Sequence, residues 1–187
     1  IPLPINRKLI PFRKRRKAIT FKHNTGHGGI AGRTGTAQLL KAIPLVRNRN
    51  VGFVINTQVP IPMVGDSRVV VNIGNIKNYW NLWNNGDVYI FPTNQEMISM
   101  PMNEALSSGM PVLTTSFDFF RETLPEDWLI KPERVFKAKL HQRFMNHAEL
   151  SIENIASKIE EWAERDIAKD SETADNIAKQ ISWEVLK

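Results

Sequence analysis

Six short runs rich in β-branched and aromatic residues, set apart by stretches with a helical period, constrain this chain more than any other feature. They are AITFKHN at 18–24, VGFVINT at 51–57, RVVVNIG at 68–74, DVYIFP at 87–92, PVLTT at 111–115 and WLIKP at 128–132. Several are apolar without strict alternation, the pattern of strands covered on both faces. Between them, Thr36 to Val46 carries Leu39, Leu40 and Ile43, and Asn75 to Asn85 carries Ile76, Tyr79, Trp80 and Trp83 at the spacing of one apolar helix stripe. A third helix is expected from about Met100 to a stop at Gly109. Two amphipathic helices close the chain: one follows a Ser151 cap and buries Ile152, Ile155, Ile159 and Trp162, and the next buries Ala174, Ile177, Ala178, Ile181 and Val185. The region of His141 and His147 reads as helix or loop. Strand-helix alternation with closing helices predicts a doubly wound parallel α/β sheet of about six strands.

Charge divides the chain unevenly. No Asp or Glu precedes Asp66, whereas 12 of the 25 Lys and Arg lie before it, so a +12 N-terminal third is joined to a −6 remainder. The asymmetry suggests that the N-terminal third faces something anionic. Residues 1–17 hold three prolines and the run Arg13, Lys14, Arg15, Arg16, Lys17 without usable periodicity. They read as a basic linker or arm outside the core, with 18–187 as the folded domain. Residues 13–17 suit an anionic membrane surface. Nucleic acid is a poor fit, because aromatic interleaving is limited to Phe12 and Phe21 and the remainder is acidic. The absence of cysteine excludes disulfides, thiol catalysis and zinc-thiolate sites. No run reaches the ~20 apolar residues of a spanning helix, so the expectation is a cytoplasmic protein, peripheral at a membrane where the basic run docks.

In a doubly wound sheet, ligands bind beyond the C-terminal strand ends. The loop after the first strand, Thr25 to Thr36, has glycines at 26, 28, 29, 32 and 35. Such a loop lets the backbone approach a phosphate closely. Gly26, Gly28, Gly29 and Gly32 are therefore phosphate-binding candidates, with Arg33 as a charge-assisted hydrogen-bond donor, Thr34 beside it and Lys22 as a helper. A P-loop is excluded, since no Gly-Lys-Ser/Thr follows. A nicotinamide dehydrogenase is disfavoured: the second strand ends in Asn56-Thr57 where a ribose-binding acid is needed, and Asp66 lies too far along.

The most specific segment is Phe91-Pro92-Thr93-Asn94-Gln95-Glu96, then seven residues, then Glu104-Ala105-Leu106, and Gly109-Met110-Pro111-Val112 before a strand. Both carboxylates can reach one cleft at the C-terminal sheet edge, where they suit hydrogen bonding to sugar hydroxyls. The segment resembles the E-x7-E signature of retaining glycosyltransferases of GT-B architecture, in particular the C-terminal, donor-nucleotide-binding domain of the group 1 family that includes sucrose synthases and bacterial lipopolysaccharide glycosyltransferases. The resemblance extends over nearly the whole chain. Residues 1–17 resemble the interdomain linker, Gly32-Arg33-Thr34-Gly35 stands at the phosphate-binding Arg/Lys-Gly, and Ile181-Ser182-Trp183-Glu184 is similar to the family's closing motif.

That resemblance implies a Rossmann-like fold and a hexosyltransferase-type activity, inactive in this domain alone because the N-terminal acceptor domain is absent. It implies Glu96 as the catalytic carboxylate on the donor sugar, Glu104 on the ribose, and Arg33 with the loop amides on the diphosphate. The partner is a nucleoside-diphosphate sugar, with no cofactor and no metal. Two departures are clear: Met97, Ile98 and Ser99 replace the family's Gly-Phe-Gly, and Thr34 replaces its lysine. They motivate an alternative, a non-catalytic transferase-like module that binds a nucleotide or a protein.

Overall fold

The computed structural model describes residues 3–26, 29, 33–62, 65–95, 99–140 and 143–185. Six strands form one parallel sheet: β1 (Thr20–Asn24), β2 (Gly52–Thr57), β3 (Val69–Ile73), β4 (Val88–Phe91), β5 (Val112–Thr115) and β6 (Leu129–Ile130), in the order β3-β2-β1-β4-β5-β6. All six fall inside the runs expected from sequence. The helices are α1 (Thr36–Ala42), α2 (Met100–Ser107), α3 (Asp118–Thr123), α4 (Ile152–Trp162) and α5 (Ala168–Gln180). The strand order runs outward in both directions from the β1/β4 pair, so right-handed crossovers place the α1 and α2 helices on opposite faces. Accordingly α1 packs against α4, and α2 against α5. This is the Rossmann-like, doubly wound sheet the sequence predicts.

Burial explains the strand composition. Every residue of β4 and β5 is buried, which demands apolar side chains on both faces, whereas edge strand β3 leaves Val70 and Ile73 exposed. Rings fill the centre: Phe21 stacks on Phe53, Tyr89 on Phe91, and Trp83 meets Tyr89 edge-on at 5.3 Å. The Ser151 hydroxyl caps α4 by accepting from the Asn154 N–H, and Ile155, Ile159 and Trp162 are buried beneath it. Each such side chain contributes about 1.5–3 kcal/mol. On the β3 side, Arg68 donates to both oxygens of Asp66 and to the carbonyls of Ile43, Val46 and Asn48. These hydrogen bonds, first among the causes, hold the Asp66 carboxyl down to about 2. Asp66 is thus committed to the scaffold.

Four expectations are corrected. The stretch 75–85 is not a helix but a 3₁₀ turn over Tyr79–Trp83, with Leu82 and Trp83 buried and Ile76 and Tyr79 exposed. Its asparagines compete locally with the backbone: the Asn78 side chain accepts from the Trp80 N–H. Residues 143–147, His147 among them, are not helix or open loop, while His141 lies outside the described residues. Residues 143–147 belong to the second strand of an antiparallel pair, β7 (Arg134–Leu140) and β8 (Arg143–Glu149), outside the main sheet. Val185 is exposed, because α5 ends at Gln180 and the chain turns so that the Trp183 N–H donates to the Ile5 carbonyl.

The fourth correction concerns the basic N-terminal segment, which enters the core through Ile5 and Ile10. It runs along α2 and α5: the Ser107 hydroxyl donates to the Ile10 carbonyl at 2.8 Å, the Arg13 N–H to the Ser108 carbonyl at 3.1 Å, and Arg7 pairs with Asp175. The contact requires Gly109 (φ +84°), where a Cβ would lie 2.5 Å from the Arg13 carbonyl oxygen. Of the basic run, Lys14 and Lys17 pair with Glu172 and Glu164, and Arg15 donates to the Trp83 carbonyl.

Candidate functional site

The strand order reverses between β1 and β4, and the loops leaving these two strands meet. Such a switch point is where open α/β sheets bind ligands. On the β1 side, Gly26 and Gly29 take positive φ (+66° and +50°). Gly28, Gly32 and their neighbours His27, Ile30 and Ala31 lie outside the described residues, as does Glu96 on the β4 side. Arg33 is exposed and makes no ion pair among the described residues. Its carbonyl accepts from the Asn94 N–H (3.0 Å) and from the Thr93 hydroxyl (2.9 Å), which ties the glycine loop to the loop that leads into Glu96.

A buried polar relay fixes the end of the glycine loop. His23 on β1 has Nδ1 2.8 Å from the Ile90 carbonyl oxygen, and Nε2 2.9 Å from the Thr36 hydroxyl. Burial pushes the imidazole down to about 4. His23 is therefore neutral near pH 7, and because a carbonyl only accepts, its proton sits on Nδ1. Nε2 then accepts from Thr36, and Thr36 in turn accepts from Thr34 at 2.9 Å. The Thr34 hydroxyl thus faces an internal partner. At Gly35 (φ +74°) an added Cβ would stand 1.9 Å from the Pro92 carbonyl oxygen, so only glycine allows α1 to start this close to β4.

Glu104 lies on α2, whose Ser99 cap accepts from the Met102 N–H. Its carboxylate is buried, and Oε2 accepts from the Tyr79 hydroxyl at 2.6 Å and the Trp83 indole N–H at 3.1 Å. Burial pushes the carboxyl up, and the two donors only partly offset it. No hydrogen bond or ion pair among the described residues joins Glu104 to Arg33. Lys22 does not belong to this site: it is buried, donates to the Asn85 side chain at 2.6 Å, and is pushed down to about 8 by burial and then by Arg15. Among the described residues no group of three or more His, Asp or Glu is placed to hold a metal ion.

Sequence reasoning missed the orienting residues. His23 and Thr36 are 13 positions apart and meet only through the fold, and Tyr79 and Trp83 read as an apolar stripe when their polar tips in fact serve Glu104. Thr93, three residues before the signature glutamate, was the one visible signal.

A family model described as glycosyl transferases group 1 matches residues 26–145. No curated protein sequence matches significantly. Among solved structures, the C-terminal domain of a group 1 glycosyl transferase (LpcC) from Francisella tularensis is similar at TM-score 0.58 and 15% identity, over 97% of this chain and 96% of that one. Sucrose-phosphate synthase from Thermosynechococcus elongatus is similar at TM-score 0.63 and 15% identity, over 100% of this chain and 49% of its own. Anabaena HepE, in complex with UDP and glucose, gives 0.63 and 12%, over 95% of this chain and 51% of its own. The chain spans less than half the length of WaaG, a lipopolysaccharide glycosyltransferase that it also resembles at TM-score 0.55 and 16% identity, with 91% of this chain covered. No helix among the described residues is long and apolar enough to cross a membrane.

Proposed function

The chain belongs to the glycosyl transferases group 1 family, and on that premise we propose that it is the donor-binding domain of a retaining, hexosyltransferase-type enzyme using a nucleoside-diphosphate sugar. The observation that carries this reading is the junction at the switch point, where the Arg33 carbonyl is bound by Thr93 and Asn94. It ties Arg33, which makes no ion pair among the described residues, to the loop that leads into the E-x7-E segment. In this reading, Arg33 and the loop amides of Gly26, Gly28, Gly29 and Gly32 neutralise the diphosphate as the anomeric C–O bond breaks. Such electrostatic stabilisation is worth about 10²–10³ in rate per donor. Oε1 of Glu104 accepts from the ribose hydroxyls while Tyr79 and Trp83 hold Oε2. Glu96 is assigned the donor sugar on the strength of the family signature.

The acceptor and the remaining catalytic groups belong to an N-terminal domain outside this sequence, with residues 1–17 as the connection, and this domain alone is expected not to turn over. The HepE complex with UDP and glucose supports the donor class. A thermal-shift titration with UDP, GDP and ADP tests it: a ligand at a hundred times its Kd adds about 2.7 kcal/mol of stability. A melting temperature unmoved by all three would count against the reading. The inward Thr34 hydroxyl, standing where the family carries a lysine, favours one other reading, a nucleotide-holding module without transfer. Donor hydrolysis by the two domains combined would reject that alternative.

A further inference from the structure

The antiparallel pair of β7 and β8 has two unlike faces. Directly opposed residues of such a pair share a face. The register sets Val135 against Ala148, Lys137 against Asn146 and Lys139 against Phe144, and between these it sets Phe136 against His147 and Ala138 against Met145. The second set forms an inner face: Phe136, Ala138, Met145 and His147 are partly buried, and the Phe136 and His147 rings lie 5.2 Å apart. The edge of β8 is fastened to the body as well, because the Ala148 N–H donates to the Asn94 carbonyl at 2.8 Å and Gln95 bridges antiparallel to His147.

The first set forms an outer face of different character. Val135, Lys137, Lys139 and Phe144 are all exposed, and Phe144, at 69%, is the most exposed large apolar side chain among the described residues. Lys137 and Lys139 make no ion pair among the described residues. The acids of this segment stand at its base, Glu133 before β7 and Glu149 at the end of β8, and Glu149 is taken by Arg134 at 2.7 Å. Two unneutralised cations about 7 Å apart thus share a face with a bare aromatic ring. The N-terminal basic run differs: Lys14 and Lys17 are paired with Glu172 and Glu164, and Arg15 donates to the carbonyls of Trp83 and Ser108.

Charge and shape select the occupant of the outer face. A second copy is a poor one, since lysines along β7 repel an identical strand. A nucleic-acid strand is another, since one ring offers no platform for successive bases. An anionic bilayer fits both features. A ring settles at the boundary of head groups and acyl chains, and lysines beside it lay their stems on the apolar layer while their ammonium groups meet phosphates.

We propose that the outer face of β7 and β8 docks on an anionic lipid surface, with Phe144 in the interface and Lys137 and Lys139 on the head-group phosphates. Because β8 is tied to Asn94 and Gln95, the bilayer then lies beside the loop that leads into Glu96. The proposal goes beyond the donor-domain reading and does not rest on it.

Sedimentation of the whole chain with sucrose-loaded vesicles, without nucleotide, tests it, so the two readings fail separately. Vesicles of equal parts phosphatidylcholine and phosphatidylglycerol should carry the chain down, and pure phosphatidylcholine should not. Lys137→Gln with Lys139→Gln should weaken the partition about fivefold for each lysine, and Phe144→Ser about tenfold, whereas Phe144→Trp should keep it. These side chains are exposed, so the melting temperature of each variant should match that of the unaltered chain. Lys14→Gln with Lys17→Gln removes the same charge elsewhere and should matter less, because those lysines are already paired. No sedimentation with the anionic vesicles, an equal loss from the two lysine pairs, or indifference to Phe144→Ser would overturn the proposal. So would an oligonucleotide or an acidic peptide bound through these three side chains while the vesicles stay free.

Discussion

The two banks of the switch point are built on opposite principles. On the β1 bank each polar group of the relay His23, Thr36 and Thr34 has a partner, and the backbone at Gly35 is pressed against Pro92. On the β4 bank, Asn94, Gln95 and His147 keep buried polar atoms without partners among the described residues, and Glu104 has its Oε2 held by Tyr79 and Trp83. Unpaired buried groups cost stability, whereas paired ones hold geometry. The relay of the first bank is thus satisfied without a ligand, as suits a diphosphate cradle that must be preorganised, although the Asn24 Nδ2 at the end of β1 is buried without a partner. The second keeps acceptors that a ligand could meet.

This contrast can be broken by substitution. Gly35→Ala should have the largest effect, about 3 kcal/mol or more in chemical denaturation, because positive φ and a backbone clash act together. A loss under 1 kcal/mol would mean that the β1 bank is soft. Acid attacks the same bank through His23. Its folded value of about 4 lies below the 6.5 of the unfolded chain, so the unfolded state takes up a proton first. Its contribution, full above pH 6.5, fades as pH falls to about 4 and amounts to about 3 kcal/mol. His23→Leu should flatten that part of the pH profile, and an unchanged slope would refute the neutral relay.

On the other bank the effects shrink. Glu104→Gln should keep stability at pH 7 within about 1 kcal/mol, since Gln still accepts from Tyr79 and Trp83 while a buried charge is removed. The sign follows from the raised carboxyl: the folded state binds its proton more readily, so the ionised group costs stability as pH rises through the raised value. Nucleotide affinity should nonetheless fall. Gln95→Met should be the mildest change, neutral or stabilising by up to about 1 kcal/mol, because it deletes an acceptor that has no partner. A large destabilisation by Gln95→Met would show that this bank is as fully bonded as the other.

The sheet was legible because its central strands, β4 and β5 above all, are buried on two faces, and two-sided burial writes itself directly as consecutive apolar residues, while β3 was visible through its run of valines. The signature segment was legible through the spacing of Glu96 and Glu104. What stayed hidden depended on contacts distant in sequence. Phe136, Ala138 and Leu140 do alternate with Val135, Lys137 and Lys139, yet interleaved lysines without a turn dipeptide masked the hairpin. Cations looked alike in sequence, but Arg7, Lys14 and Lys17 find acids on α5 and the segment before it, Lys22 sinks beside Asn85, and Arg33 makes no ion pair among the described residues. Only folding assigns those partners. Ile5 and Ile10 were hidden by the prolines and charges around them, which disguise a segment that packs.

The central claim is that the switch point holds a nucleoside diphosphate through Arg33. Titration calorimetry of the intact chain and of Arg33→Ala, with UDP, GDP and ADP, tests it most directly. The account predicts binding of at least one of the three, weakened about tenfold or more in Arg33→Ala, the worth of a charge-assisted hydrogen bond to phosphate. No heat with any of them, or an affinity unmoved by the loss of the guanidinium, would contradict it.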